Sequence, residues 1–130
     1  MKYLQIIILS GIILAGCTKD NSLSPGNINL SGNWKWIESS GGIDGRIDNP
    51  TTSGDSIVLQ FSNDSVVKYV NDSLYFSMTY FIEIDESIYG GEKNIIVYEN
   101  GFSQSIELDN KQLILSDECI DCFINKYIKE

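Results

Sequence analysis

Two cysteines near the end of the chain, Cys119 and Cys122, lie three positions apart in the stretch LSDECIDCFINKY. This Cys-x-x-Cys spacing occurs in dithiol redox centres, in halves of zinc sites and in small structural disulfides. A redox centre of the thioredoxin type needs the motif to open a helix, whereas here it lies in a predicted turn between strands. The carboxylates of Asp117, Glu118 and Asp121 disfavour a thiolate, which is the reactive form of cysteine.

A structural disulfide is therefore the favoured interpretation of Cys119 and Cys122, and free thiols, a metal site and a redox couple remain as alternatives. A zinc site would need two further ligands, and the chain contains no histidine. The same absence removes the commonest general base and the Ser-His-Asp and Cys-His arrangements. We expect no catalytic activity, no bound metal and no cofactor.

The third cysteine, Cys17, ends the N-terminal segment MKYLQIIILSGIILAGC. One lysine precedes a largely apolar run, Leu4 to Leu14, which as a helix would rise about 16 Å and so fall short of a hydrocarbon core of about 30 Å. Such a run is typical of a secretory signal. Leu14-Ala15-Gly16-Cys17 resembles the lipobox of bacterial lipoproteins, and the resemblance implies cleavage before Cys17 and lipidation of its thiol.

This interpretation divides the chain into a signal peptide over residues 1–16, a lipidated flexible tether over 17–29 and a folded domain over 30–130. The lipid on Cys17 would hold the domain at the outer membrane, on its periplasmic or its cell-surface side. The chain has 18 acidic and 9 basic residues, for a net charge of −9. A surface of this charge repels phosphates, so we expect no nucleic-acid partner.

The folded domain must be built mainly from strands, because apolar and polar residues alternate almost throughout it. The longest alternating run is Leu74–Ile84, and Asn100-Gly101 is a hairpin dipeptide that tolerates positive φ at both positions. We predict an all-β fold, an eight-stranded antiparallel up-and-down barrel, with a two-sheet β-sandwich as the alternative. Residues 39–55 and 85–93 are predicted to be longer loops.

Three segments also carry a family resemblance. LSGNWKWIESSGGIDG, IVLQFSND and LILSDECIDCFINKYIK resemble the opening, the second strand and the close of small lipocalin-like lipoproteins of Bacteroidetes. The resemblance covers about Leu30 to Ile128. It implies a lipocalin-like barrel in which the first-strand tryptophan, Trp34, plugs the closed end. An eight-stranded barrel holds one small ligand or is filled by its own side chains.

Three functions follow as expectations. The first is non-catalytic binding of a small apolar ligand in a cavity lined by Trp36, Leu59, Phe76, Met78 and Tyr80. The second is an interaction module for an envelope or cell-surface protein, with a filled barrel and a contact surface on residues 39–55 or on outward-facing Tyr75, Tyr89 and Tyr98. The third, which the sequence favours least, is a thiol redox or metal protein acting through Cys119 and Cys122.

Overall fold

Antiparallel strands make up almost all of the regular structure in the computed structural model, which describes residues 28–130. The predicted signal peptide, the lipidation site Cys17 and nearly all of the predicted tether lie outside these residues. The strands are β1 (Gly32–Gly41), β2 (Arg46–Asp48), β3 (Ile57–Phe61), β4 (Ser65–Val70), β5 (Ser73–Glu86), β6 (Glu92–Tyr98), β7 (Ser103–Asp109), β8 (Gln112–Asp117) and β9 (Phe123–Lys129).

One short helix, α1 (Pro50–Ser53), separates β2 from β3. Asn49 caps its N-terminus, because the Asn49 side chain accepts hydrogen bonds from the backbone N–H groups of Thr51 and Thr52. Within residues 28–130, no helix combines the length and the apolar character needed to cross a membrane.

The sheet closes into a barrel because its first strand pairs at both edges. β1 pairs with β3 on one side and with β9 on the other, and β3 to β9 pair in chain order. Eight strands therefore form a closed antiparallel barrel, and β2 adds a ninth that pairs with the end of β1. The prediction of an eight-stranded barrel is confirmed, and the β-sandwich alternative is wrong.

The long strand β5 changes partner halfway along its length. Ser73–Thr79 pairs with β4, whereas Tyr80–Glu86 pairs with β6. In the described part of the chain, no strand pairs with the first half of β5 on the side away from β4. The barrel wall is consequently open beside this half.

The turn with positive φ at two successive residues lies at Asn71-Asp72, and not at Asn100-Gly101. Asn71 and Asp72 both have positive φ, 51° and 64°, and form the two-residue turn between β4 and β5. Between β6 and β7 only Gly101 does, at 84°, and its N–H donates to the Tyr98 carbonyl in a three-residue loop. Positive φ at both Asn100 and Gly101 is thus wrong, because the longer loop needs a left-handed residue only at its last position.

Residues 39–55, predicted to be a loop, contain the end of β1 together with β2 and α1. β1 continues to Gly41, where it packs directly on the start of β9. A Cβ atom on Gly41 would collide with the carbonyl oxygen of Cys122, so only glycine fits there.

The interior of the barrel differs between its two ends. At the closed end, where β1 begins, the interior is apolar and buries Leu30, Trp34, Phe61 and Val66. Trp34 is 1% exposed, and its indole N–H donates to the Leu30 carbonyl at 2.7 Å. Ile28, near the end of the predicted tether, packs against the same core. The open end, where β1 ends and β9 begins, holds the β4–β5, β6–β7 and β8–β9 turns.

Candidate functional site: a cavity at the open end of the barrel

A cavity of about 230 Å³ lies inside the open end. One wall is apolar and consists of Leu59 on β3, Phe76 and Met78 on β5, and Phe102 beyond β6. Phe102 is 42% exposed and stacks on Tyr98, with ring centroids 6.0 Å apart and an interplanar angle of 18°. This wall therefore offers flat aromatic surfaces to a bound molecule.

The opposite wall is polar and is organised by the carboxylate of Asp117, at the end of β8. Gln104 Nε2 donates to Asp117 Oδ1 at 2.7 Å, and Asn125 Nδ2 donates to the same oxygen at 3.4 Å. The backbone N–H of Phe123 donates to Oδ2 at 3.2 Å. Both carboxylate oxygens thus already have protein donors.

The polar wall continues in both directions from Asp117. On one side the Tyr98 hydroxyl donates to Gln104 Oε1 at 2.7 Å. On the other, Asn125 Oδ1 accepts from Ser39 Oγ at 2.6 Å, and Ser39 Oγ accepts from the Trp36 indole N–H at 2.8 Å. The network links β6, β7, β8, β9 and β1, and so fixes the shape of this end of the barrel.

Two tyrosines complete the lining, Tyr98 and Tyr127. Burial raises the pKa of both phenols, and the negative charge of Asp117 adds to the effect. Their hydroxyls are therefore neutral hydrogen-bond donors rather than bases.

Lys68 brings a positive charge to the cavity. It lies on β4 between Leu59 and Phe76 in register, so its side chain faces the interior. Its Nζ is 5.1 Å from the centroid of the Tyr75 ring and 5.9 Å from that of Phe76. Burial lowers the pKa of Lys68, and the charge of Asp117 partly opposes this. No carboxylate among residues 28–130 forms an ion pair with it.

The β8–β9 turn contains the disulfide that the sequence favoured, between Cys119 and Cys122, with Cα atoms 5.6 Å apart. The Asp117 carboxylate and the two sulfurs lie within 4.8 Å of one another, but a disulfide has no thiolate to offer a metal. The adjacent Glu118 accepts hydrogen bonds from the Ser87 hydroxyl at 2.7 Å and from the Ile88 N–H at 2.8 Å. The turn thereby also holds the β5–β6 loop.

The predicted lining residues separate into two groups. Leu59, Phe76 and Met78 border the cavity. Trp36 is buried and its indole N–H ends the polar network, whereas Tyr80 lies towards the closed end, edge-on to Phe61 at 5.5 Å. Neither of these two lines the cavity.

Tyr98 was expected to face outward, and that expectation is wrong. It is 8% exposed because it shares the inward face of β6 with Ile96, whereas Tyr75 and Tyr89 are exposed. The sequence reasoning also missed Lys68, although Val66-x-Lys68 in an alternating strand already places both residues on one face. The roles of Gln104, Asp117 and Asn125 had no local signal, since they depend on one another across strands.

Comparisons with protein-family models, with curated proteins and with solved structures found no match to this chain. The function must therefore be argued from the cavity itself.

Proposed function

We propose that this barrel binds a small amphipathic molecule in the open-end cavity and acts by holding it rather than by transforming it. The observation that supports the proposal is the division of the cavity into an apolar wall and a polar wall. A purely apolar ligand would leave the Lys68 ammonium group, which forms no ion pair within residues 28–130, without a charged partner in the cavity. The expected small apolar ligand is thus narrowed to one that also carries a polar group.

The size of the cavity sets the size of the ligand. About 230 Å³ is below the range of roughly 300–1,000 Å³ typical of sites for drug-sized molecules. The ligand is accordingly small, or it extends through the mouth past Phe102.

Binding is favoured over catalysis by the state of the polar groups. The oxygens of Asp117 are occupied by three donors, and the raised pKa values of Tyr98 and Tyr127 keep these phenols protonated. The chain has no histidine to act as a base near neutral pH. These groups orient a ligand well but accept a proton poorly.

The lipid anchor on Cys17 and placement at the outer membrane, as in lipocalin-like lipoproteins, remain part of the proposal. A membrane-held receptor or carrier for a small molecule fits a binding domain of about one hundred residues on a tether. Mass spectrometry of the processed chain tests the anchor directly: a diacylglyceryl-modified Cys17 supports it, and an unmodified, uncleaved chain contradicts it.

The binding proposal is tested by nuclear magnetic resonance on the processed chain purified without detergent. We expect a collection of small aromatic and aliphatic acids, alcohols and amines to contain compounds that shift the amide signals of Phe76, Phe102 and Gln104. The substitution Phe102→Ala should weaken the binding of those compounds. The matched change Phe81→Ala, on the outside of β5, should leave their binding unchanged. Failure of every compound, or shifts confined to the outer surface, would count against binding in the cavity.

An interaction module is the second candidate, and exposed residues on β5 favour it. Leu74 and Tyr75 are 65% and 69% exposed on the half of β5 that lacks a partner strand on one side. A protein partner that uses this edge should lose binding to a Leu74→Lys variant in crosslinking of intact envelopes. Unchanged crosslinks would remove the candidate.

A further inference from the structure

The charges inside the cavity define the class of ligand more narrowly. Resting on the proposed binding function, we infer that the ligand is a small aromatic acid, whose anionic group contacts Lys68 and whose ring lies against Phe76 and Phe102. The cavity contains one cation, Lys68, and one anion, Asp117. The two side chains differ in the partners that the fold provides for them.

Asp117 is satisfied by the fold. Gln104, Asn125 and the Phe123 N–H all donate to its carboxylate, at 2.7, 3.4 and 3.2 Å. A cationic ligand would have to compete with these donors for the same lone pairs. A positive group on a ligand therefore gains little by binding at this wall.

Lys68 is in the opposite situation. Its side chain is half-buried and has aromatic rings as near neighbours of the ammonium group, and within the described chain it has no ion pair. Partial burial of an unpaired charge is unfavourable, and a bound anion relieves it by supplying both charge and hydrogen-bond acceptors. An anionic group on the ligand would therefore give Lys68 the charged partner that the described chain does not provide.

The aromatic part of the ligand follows from the groups beside Lys68. Phe76 lies next to it on β5, and Phe102 forms the mouth with its ring parallel to Tyr98. A flat ring fits such surfaces better than a branched aliphatic chain does, because offset stacking of two rings is favourable beyond simple burial.

The acidic exterior does not prevent this selectivity. The chain carries a net charge of −9, which repels anions at long range. At physiological salt the Debye length is about 8 Å, so distant surface carboxylates are screened while Lys68 acts at contact distance. The repulsion slows the approach of the acid more than it weakens the bound state.

Calorimetry with two matched compounds tests the inference, namely 2-naphthoate and its neutral counterpart 2-naphthamide. On the processed chain at pH 7 we expect 2-naphthoate to bind at least tenfold more tightly. Lys68→Met should abolish the difference, and the matched control Lys35→Met, on the outer face of β1, should preserve it. Thermal melting of each variant establishes that it is folded. The preference should also fade as pH rises through the lowered pKa of Lys68, below its ordinary 10.5.

The two proposals fail in different ways. Equal binding of both compounds, or a preference for 2-naphthoate that survives Lys68→Met, overturns the inference about charge and leaves small-molecule binding intact. Absence of binding by either compound also overturns the inference, and the amide shifts described above then decide the binding function separately.

Discussion

The closed and open ends of the barrel follow the same alternation of inward and outward residues, yet their interiors differ in chemistry. The closed end buries Trp34, Leu30 and Phe61, with a single indole hydrogen bond between Trp34 and Leu30. The open end turns Lys68 and Asp117 inward, with amides and phenols around them. Burying apolar surface stabilises a fold at about 25 cal/mol per Å², whereas polar groups inside a barrel must first be matched with partners. We expect the closed end to contribute most of the stability, and the open end contains the candidate site.

The largest expected effect comes from emptying the closed end. Trp34→Ala should lower the free energy of unfolding by about 3–5 kcal/mol, because it leaves a cavity and an unpaired Leu30 carbonyl. Urea denaturation followed by circular dichroism measures the loss. The matched aromatic deletion at the open end, Phe102→Ala, should lower it by about 1 kcal/mol or less, since Phe102 is half-exposed. Equal losses at the two ends would break the comparison.

The next effect concerns the carboxylate that organises the polar wall. Asp117→Asn should lower the free energy of unfolding by about 2–3 kcal/mol, because Gln104 and the Phe123 N–H lose a charged acceptor and face a new donor. Glu107→Gln is the control, since it removes only an exposed ion pair with Lys93. The open end would need a different description if the two variants had the same stability.

Removal of the disulfide should have a smaller effect. Cys119→Ser combined with Cys122→Ser should lower the free energy of unfolding by about 2 kcal/mol, the value for so short a loop, and leave the barrel intact. Hydrogen exchange should become faster in the β8–β9 turn and in residues 87–91, which Glu118 holds. Faster exchange at the closed end instead would show that the turn stabilises the whole barrel.

Alkaline pH should lower the free energy of unfolding gradually, through the two buried tyrosines at the open end. Tyr98 and Tyr127 have raised pKa values in the fold, so above pH 10.0 the unfolded chain loses their protons while the folded chain retains them. Stability is then lost as pH rises above 10.0, by about 1.4 kcal/mol per tyrosine for each pH unit. Lys68 acts in the opposite direction, because its lowered pKa makes stability rise with pH below 10.5.

Urea midpoints at pH 9, 10 and 11 measure this slope. Tyr98→Phe should flatten it, and Tyr75→Phe, an exposed tyrosine, should leave it unchanged. A slope that neither variant alters would mean that other groups cause the alkaline loss.

Much of the barrel was predictable because strand alternation is a local property. All eight barrel strands and the inward series Phe76, Met78 and Tyr80 follow from a two-residue period. β2 and α1 were not predictable, since elements of three and four residues depend on the strand or cap beside them. The site was predictable only in part: Leu59, Phe76 and Met78 could be read from the pattern, whereas the partners of Asp117 come from β7 and β9 and meet only in the folded barrel.

The change of partner along β5 has a mechanical consequence. The tip of the β4–β5 hairpin is held by ladder hydrogen bonds through β4 to β3 only, because the first half of β5 pairs with no second strand in the described chain. On that side the Thr79 carbonyl accepts a hydrogen bond from the Glu99 N–H in the β6–β7 loop. That tip carries Phe76 and, on β4, Lys68. Lys68 is fixed by its pairing with Leu59 on β3, whereas the side chain of Phe76, beside the gap, can move without breaking a ladder between strands. A ligand could in this way enter the cavity through the side of the barrel, while the closed end stays rigid.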